Sequence, residues 1–157
     1  MNADDPPNGA VKMYIKADRQ ISFFDFNEKA GLQLDPKNRW IRMSELIDWE
    51  ALEDRYTKLF SQNAGAAAKP IRLALGALLI KQIEGLSDEK VMRHIQENPY
   101  MQYFCGIKEF NYAQPFAPSL MTTFRKRFGE DAIRELMEKF SGGRHGLPRQ
   151  QTPDEII

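Results

Sequence analysis

Ile71-Arg72-Leu73-Ala74-Leu75-Gly76-Ala77-Leu78-Leu79-Ile80-Lys81-Gln82-Ile83 is apolar on nearly every side of a helical wheel, and that pattern decides the fold. A helix that is apolar all round belongs inside, with other helices wrapped around it. Pro70 suits its first position and Gly85 the residue that ends it. Ser87 then caps a second helix whose first turn holds Asp88 and Glu89, the charge a helix N-terminus favours, and whose Val91, Met92 and Ile95 face inward. Asn98-Pro99 breaks that helix. Tyr100, Tyr103 and Phe104 follow as a compact aromatic turn closed by Gly106, and residues 108–118 read as an irregular loop.

Upstream, Asp48 is placed to cap a helix carrying Trp49, Leu52, Tyr56, Leu59 and Phe60 at helical spacing, with Glu50, Glu53 and Asp54 in its N-terminal half. Asn63 to Ala68 is a spacer of small residues. Before Asp48 the pattern is weaker. Val11, Met13 and Ile15 alternate in a strand-like way, and Asp35-Pro36-Lys37-Asn38 reads as a turn. The aromatic run Ile21 to Phe26 reads as an anchor for an extended, non-helical arm. Downstream of Gly129 a last amphipathic helix places Ile133, Leu136, Met137 and Phe140 on one face, and Ser141-Gly142-Gly143 ends it. These segments predict an all-α, compact multi-helix domain with an extended N-terminal arm. Residues 1–19 are expected to be a flexible terminus, 20–140 the domain and 141–157 a polar tail.

One segment carries a functional signal. Pro118-Ser119-Leu120-Met121-Thr122-Thr123-Phe124-Arg125-Lys126-Arg127-Phe128-Gly129 predicts a short helix capped by Ser119 and stopped by Gly129. At about 100° per residue, Leu120, Met121, Phe124 and Phe128 share one arc that can face a core. Thr122, Thr123, Arg125 and Lys126 point elsewhere, with Arg127 on the border. Residues 119–128 hold three cations and no carboxylate, so the face has nothing of its own to neutralise it, and phosphate is the commonest partner of such a surface.

Composition narrows the alternatives. Lys plus Arg and Asp plus Glu are equal at 22 each, so binding to nucleic acid by bulk charge is excluded and any such surface must be local. The single cysteine, Cys105, allows no internal disulfide. With two histidines it also makes a zinc site a poor expectation. His94 has no Cys, His or acidic partner nearby and reads as a surface residue, and Cys105 reads as a small buried hydrophobe. No basic start followed by an apolar run opens the chain, and the apolar run 73–80 is too short for a membrane span, which needs roughly 20 residues. The expectation is a soluble, cytoplasmic protein without cofactor or metal.

Several blocks in order, Leu75 to Ile80, Gly85 to Glu89, Glu97 to Gly106 and Ser119 to Arg127, resemble the N-terminal domain of bacterial insertion-sequence transposases of the InsH-like type, in the DDE, RNase H-like superfamily. Gln20 to Asp25 and Asn38-Arg39-Trp40 resemble the leader of such proteins, so the likeness covers about residues 20 to 140. It implies an all-helical domain with a helix-turn-helix-like part that recognises the terminal inverted repeats of the element and helps assemble the transposase on them. Those transposases continue into a domain whose three carboxylates hold two divalent metals. The acidic residues here, Glu130, Asp131, Glu135 and Glu138, fall on the outer face of an amphipathic helix and read as a solvated surface. The expectation is therefore a non-catalytic domain that binds double-stranded DNA at element ends, through Thr122, Thr123, Arg125, Lys126 and Arg127. Its further partners would be a second copy or the full-length transposase. The alternative is a helical oligomerisation module in which the arm and the helix from Trp49 to Phe60 pair with another protomer.

Overall fold

A computed structural model of the chain describes residues 20–61 and 71–142. The strand-like alternation near residues 11–16, the start expected to be flexible and the small-residue spacer lie outside the described residues, as does residue 143 onward. Seven helices follow one another among the described residues: α1 (Phe23–Ala30), α2 (Arg39–Leu46), α3 (Trp49–Ser61), α4 (Ile71–Glu84), α5 (Asp88–Glu97), α6 (Pro99–Phe104) and α7 (Leu120–Gly142). No strand is present among them, so the domain is all-α. None of these helices is long and apolar enough to cross a membrane.

The centre is α4, as its apolar wheel requires. Every residue from Ile71 to Ile80 is buried, and α3, α5 and α7 pack against it. α3 starts where Asp48 accepts the Ala51 amide at 3.0 Å, and its Trp49 and Tyr56 are buried. α5 starts where Ser87 Oγ accepts the Lys90 amide at 3.2 Å. Asn98 both follows α5 and caps α6, accepting the amides of Tyr100 and Met101, so the aromatic turn expected from the sequence is a short helix with Pro99 in its first turn.

The arm is helical, against the extended expectation. Ser22 Oγ caps α1 by accepting the Asp25 amide at 3.1 Å, and Gly31 closes it in the left-handed region at φ 65°. Asn38 caps α2 by accepting the Trp40 amide at 2.8 Å. The apolar residues of α1 and α2 then have a face to pack on. Phe26, Ile41 and Tyr103 form a second small core with Ile21, Phe23 and Leu34 around it, and Phe23 meets Tyr103 edge-on at 5.6 Å. Trp40 and Met43 enter the main core. The 35–38 turn is present, with Asn38 N–H on the Asp35 carbonyl at 3.1 Å.

One charged residue of α4 is buried in this apolar centre. Arg72 is 3% exposed. Its Nε donates to the Phe104 carbonyl at 3.0 Å, and Nη2 donates to the Tyr103 carbonyl at 2.8 Å and to Ser44 Oγ at 2.9 Å. Nη1 donates to Gln20 Oε1. The guanidinium lies over the Trp49 ring at 4.7 Å. Gln20 in turn donates to the buried Glu53 at 3.0 Å, so a carboxylate balances the charge through an amide. Burial still pushes the Arg72 pKa down, opposed by Tyr103, Cys105 and Glu53.

Replacing Arg72 by Met keeps an unbranched stem but strands the two α6 carbonyls and removes the charge that balances Glu53 through Gln20. Denaturant unfolding should show a loss of roughly 3–5 kcal/mol, the range for breaking one side of a buried charged network. Arg72→Lys should not restore it, because a lysine lacks the planar fork that reaches α2 and α6 together.

Candidate nucleic-acid interface

The Ser119 to Phe128 segment folds as the first part of α7, with one difference at its start. Leu120 N–H bonds the Ala117 carbonyl at 2.9 Å and Met121 N–H the Pro118 carbonyl at 3.0 Å. The entry is thus a backbone turn beginning two residues before Ser119, the expected cap, and Pro118, which has no N–H to satisfy, sits comfortably in it. The preceding loop is held in place. Buried Gln102 donates to the Asn111 carbonyl at 2.7 Å and accepts its amide at 3.2 Å, Gln96 donates to the Tyr112 carbonyl, and Phe116 meets Phe124 edge-on at 5.1 Å.

The apolar arc is as the wheel requires: Met121, Phe124 and Phe128 are buried and Leu120 packs against the same core. Phe128 stacks edge-on against Tyr56 of α3 at 5.0 Å. Gly129 then interrupts the helix with φ 77° and ψ 160°, a conformation open essentially to glycine alone. Residues 130–142 continue as helix in a new direction, with Ala132, Leu136 and Phe140 buried and Ile133 and Met137 half-buried. The chain direction therefore changes immediately after the cationic segment, and the inside of the bend faces the C-terminal half of α4.

That bend makes a groove of about 810 Å³ with a floor of Leu78, Ile133 and Met137. Its walls bring Lys81 and Gln82 of α4 together with Thr122, Arg125, Lys126, Glu130 and Arg134 of α7. Three of the five residues expected to contact DNA, Thr122, Arg125 and Lys126, are exposed and line it. Thr123 and Arg127 are half-buried and do not line the groove. Lys81, Gln82 and Arg134 were not anticipated: α4 is distant in sequence, and the bend at Gly129 brings Arg134 to the same groove.

The cations are not left without counter-charge. Asp88, at the start of α5, accepts Arg125 at 2.9 and 3.5 Å and lies 3.1 Å from Lys81 Nζ. Arg125 and then Lys81 hold its carboxyl below the usual carboxylate range. This contribution to stability is present at neutral pH and is lost as pH falls through the folded-state pKa of Asp88. Counting carboxylates along residues 119–128 missed this partner because it comes from another helix. Glu130, Asp131, Glu135 and Glu138 are all exposed; Asp131 pairs with Arg134 and Glu135 with Arg55 at 3.3 Å. No group of three His, Cys, Asp or Glu side chains among the described residues is placed to hold a metal ion. His94 is exposed. Cys105 is buried, and burial pushes its thiol up to about 12, so it stays protonated.

A second helix competes for the reading role. Gly85, with φ 64°, Leu86 and Ser87 form a three-residue turn between α4 and α5, the spacing of a helix-turn-helix. The part of a second helix that such a motif offers to bases is its N-terminus. Here that end carries Asp88 and Glu89, which repel phosphate.

Two comparisons bear on this arrangement. The family described as Transposase domain (DUF772) matches residues 29–127, from the end of α1 to the last of the three cations. An uncharacterised protein of Rhizobium meliloti, ORF8 in the nfe locus, is 32% identical over 113 residues, which is 72% of this chain and 54% of that protein. The chain thus spans about half the length of this curated relative. No solved structure matches it.

The bend at Gly129 is the geometric condition for the groove. Gly129→Ala meets no neighbouring atom, so any effect comes from the backbone alone. Thermal or denaturant unfolding should show a loss of about 1–3 kcal/mol, and a variant as stable as the parent would mean that the bend relaxes without strain.

Proposed function

The chain belongs to the DUF772 transposase-domain family, and from that premise we propose that it is the DNA-binding and assembly part of a transposase. In this reading it recognises the terminal inverted repeats of a mobile element in an InsH-like system. Strand cleavage would be the work of a DDE, RNase H-like domain, to which the exposed acidic residues 130–138 of this chain contribute nothing. The observation that carries the reading is the exposed face of α7. Thr122, Arg125 and Lys126 stand on a helix whose opposite face, Met121, Phe124 and Phe128, is buried. Cations so held can meet phosphates or guanine edges, and threonines phosphates or thymine methyl groups.

An oligomerisation module is the alternative, and one observation favours it: Phe24 of α1 and Leu46 of α2 are 71% and 52% exposed. On α3, by contrast, Trp49 and Tyr56 are already buried within the chain. A second copy meeting α1 and α2 would leave α7 open, so assembly and DNA binding are compatible.

Salt dependence separates the two. Binding to a short duplex recovered by the protein from a randomised pool should weaken with salt at a log–log slope near −3 to −4 if about three to five phosphates are contacted. Apolar pairing should be nearly indifferent to salt. Arg125→Ala with Lys126→Ala should keep the helical circular dichroism spectrum and flatten that slope by about one unit per phosphate contact removed. Phe124→Ala should lower stability by roughly 3–5 kcal/mol and lose DNA only by unfolding. If the double variant binds as tightly as the parent at every salt concentration, α7 is not the reader.

A further inference from the structure

Asp88 is 24% exposed and faces the flank of α7. Its two oxygens meet Nη1 and Nη2 of Arg125, the same parallel fork with which a guanidinium grips a phosphate. Nη2 also donates to Thr122 Oγ1 at 3.1 Å. Oδ1 is shared with Lys81, and the Lys81 ammonium donates as well to the Leu86 carbonyl at 2.8 Å. One carboxylate therefore occupies two of the cations that line the groove. A phosphate approaching them meets an anion already in the position it would take.

We propose that Asp88 is an intramolecular counterion that restrains the grip of Arg125 and Lys81 on backbone phosphate, so that duplex without the preferred sequence is held weakly. The inference rests on the DNA-binding reading above. A phosphate that binds these cations must displace or share them with the carboxylate, which lowers both the attraction and the number of counterions released. Lys126, on the same wall but outside this pair, is left to supply the first contact. Asp88 is in this account a positioning residue that acts through Arg125.

The test is Asp88→Asn on a short duplex of random sequence, titrated across salt. The variant should bind about three- to tenfold tighter at low salt, with a log–log slope steeper by about one unit. Adding Arg125→Ala should abolish both gains. An unchanged slope with a lowered melting temperature would make Asp88 a tie between α5 and α7 and nothing more, and would overturn the proposal, as would weaker binding. Should Asp88→Asn fail to fold, Asp88→Ser, which also suits the first turn of a helix, carries the same expectation. Failure of both to fold would assign the carboxylate to the fold and end the proposal. A parent that binds no duplex removes the DNA reading itself, whereas a parent that binds with an indifferent variant removes this inference alone.

Discussion

A guanidinium inside an apolar helix bundle must be surrounded, and Arg72 dictates what surrounds it. Its donors require the two carbonyls at the end of α6, the Ser44 hydroxyl of α2 and the Gln20 amide at one place. Stranding any of them in an apolar interior would leave a buried polar group unpaired. The approach needs room as well. Gly106, at φ 75°, has no space for a side chain, because a Cβ there would lie 2.7 Å from Arg72 Cδ. At Gly76 a Cβ would come within 3.1 Å of the Cys105 backbone, so α4 and α6 touch at a glycine. The meeting of α2, α3 and α6 at Arg72 of α4 follows from satisfying one charge and admitting two close approaches at glycine.

The same helix carries that order to the proposed DNA face. Its buried N-terminal half is fixed by the Arg72 network, while its C-terminal end presents Lys81 to the groove and reaches Asp88 through the three-residue turn at Gly85. α7 is located independently by aromatic edges: Phe116 on Phe124, and Phe128 on Tyr56. Loop 108–118 could have left α7 free to swing, but Gln102 ties it to the end of α5 and to α6. The groove is therefore the meeting of two rigidly placed helices, and its ion pairs are side-chain adjustments on that frame.

Much of this was legible in sequence wherever apolar spacing and a cap agreed. The all-round apolar run gave α4, Ser87 gave the start of α5, Asn98-Pro99 gave the break, and the Leu120 to Phe128 arc gave the buried face of α7. α1 and α2 were missed although their signals were present: Ser22 and Gly31 bracket one, and Asn38 precedes Trp40, Met43 and Ser44 at helical spacing in the other. Aromatic density at Ile21 to Phe26 outweighed those caps. What local reading could not reach were pairings across distant segments. Nothing local to Arg72 names its acceptors on α2 and α6, and Arg125 looked unneutralised because Asp88 lies on another helix. The same blindness hid Lys81, Gln82 and Arg134 from the candidate face, while three of the five residues chosen on α7 do share one wall.

The central claim is that a fixed scaffold built around Arg72 presents the exposed face of α7 to duplex DNA. Backbone amide resonances followed by NMR during titration with a short duplex, recovered by the protein from a randomised pool, test it most directly. The account predicts the largest shifts at Thr122 to Arg127, at Lys81 and Gln82, and at Asp88, with Tyr103, Phe104 and Gly106 beside Arg72 unmoved. Shifts concentrated on α1 and α2, with residues 122–127 silent, would contradict it.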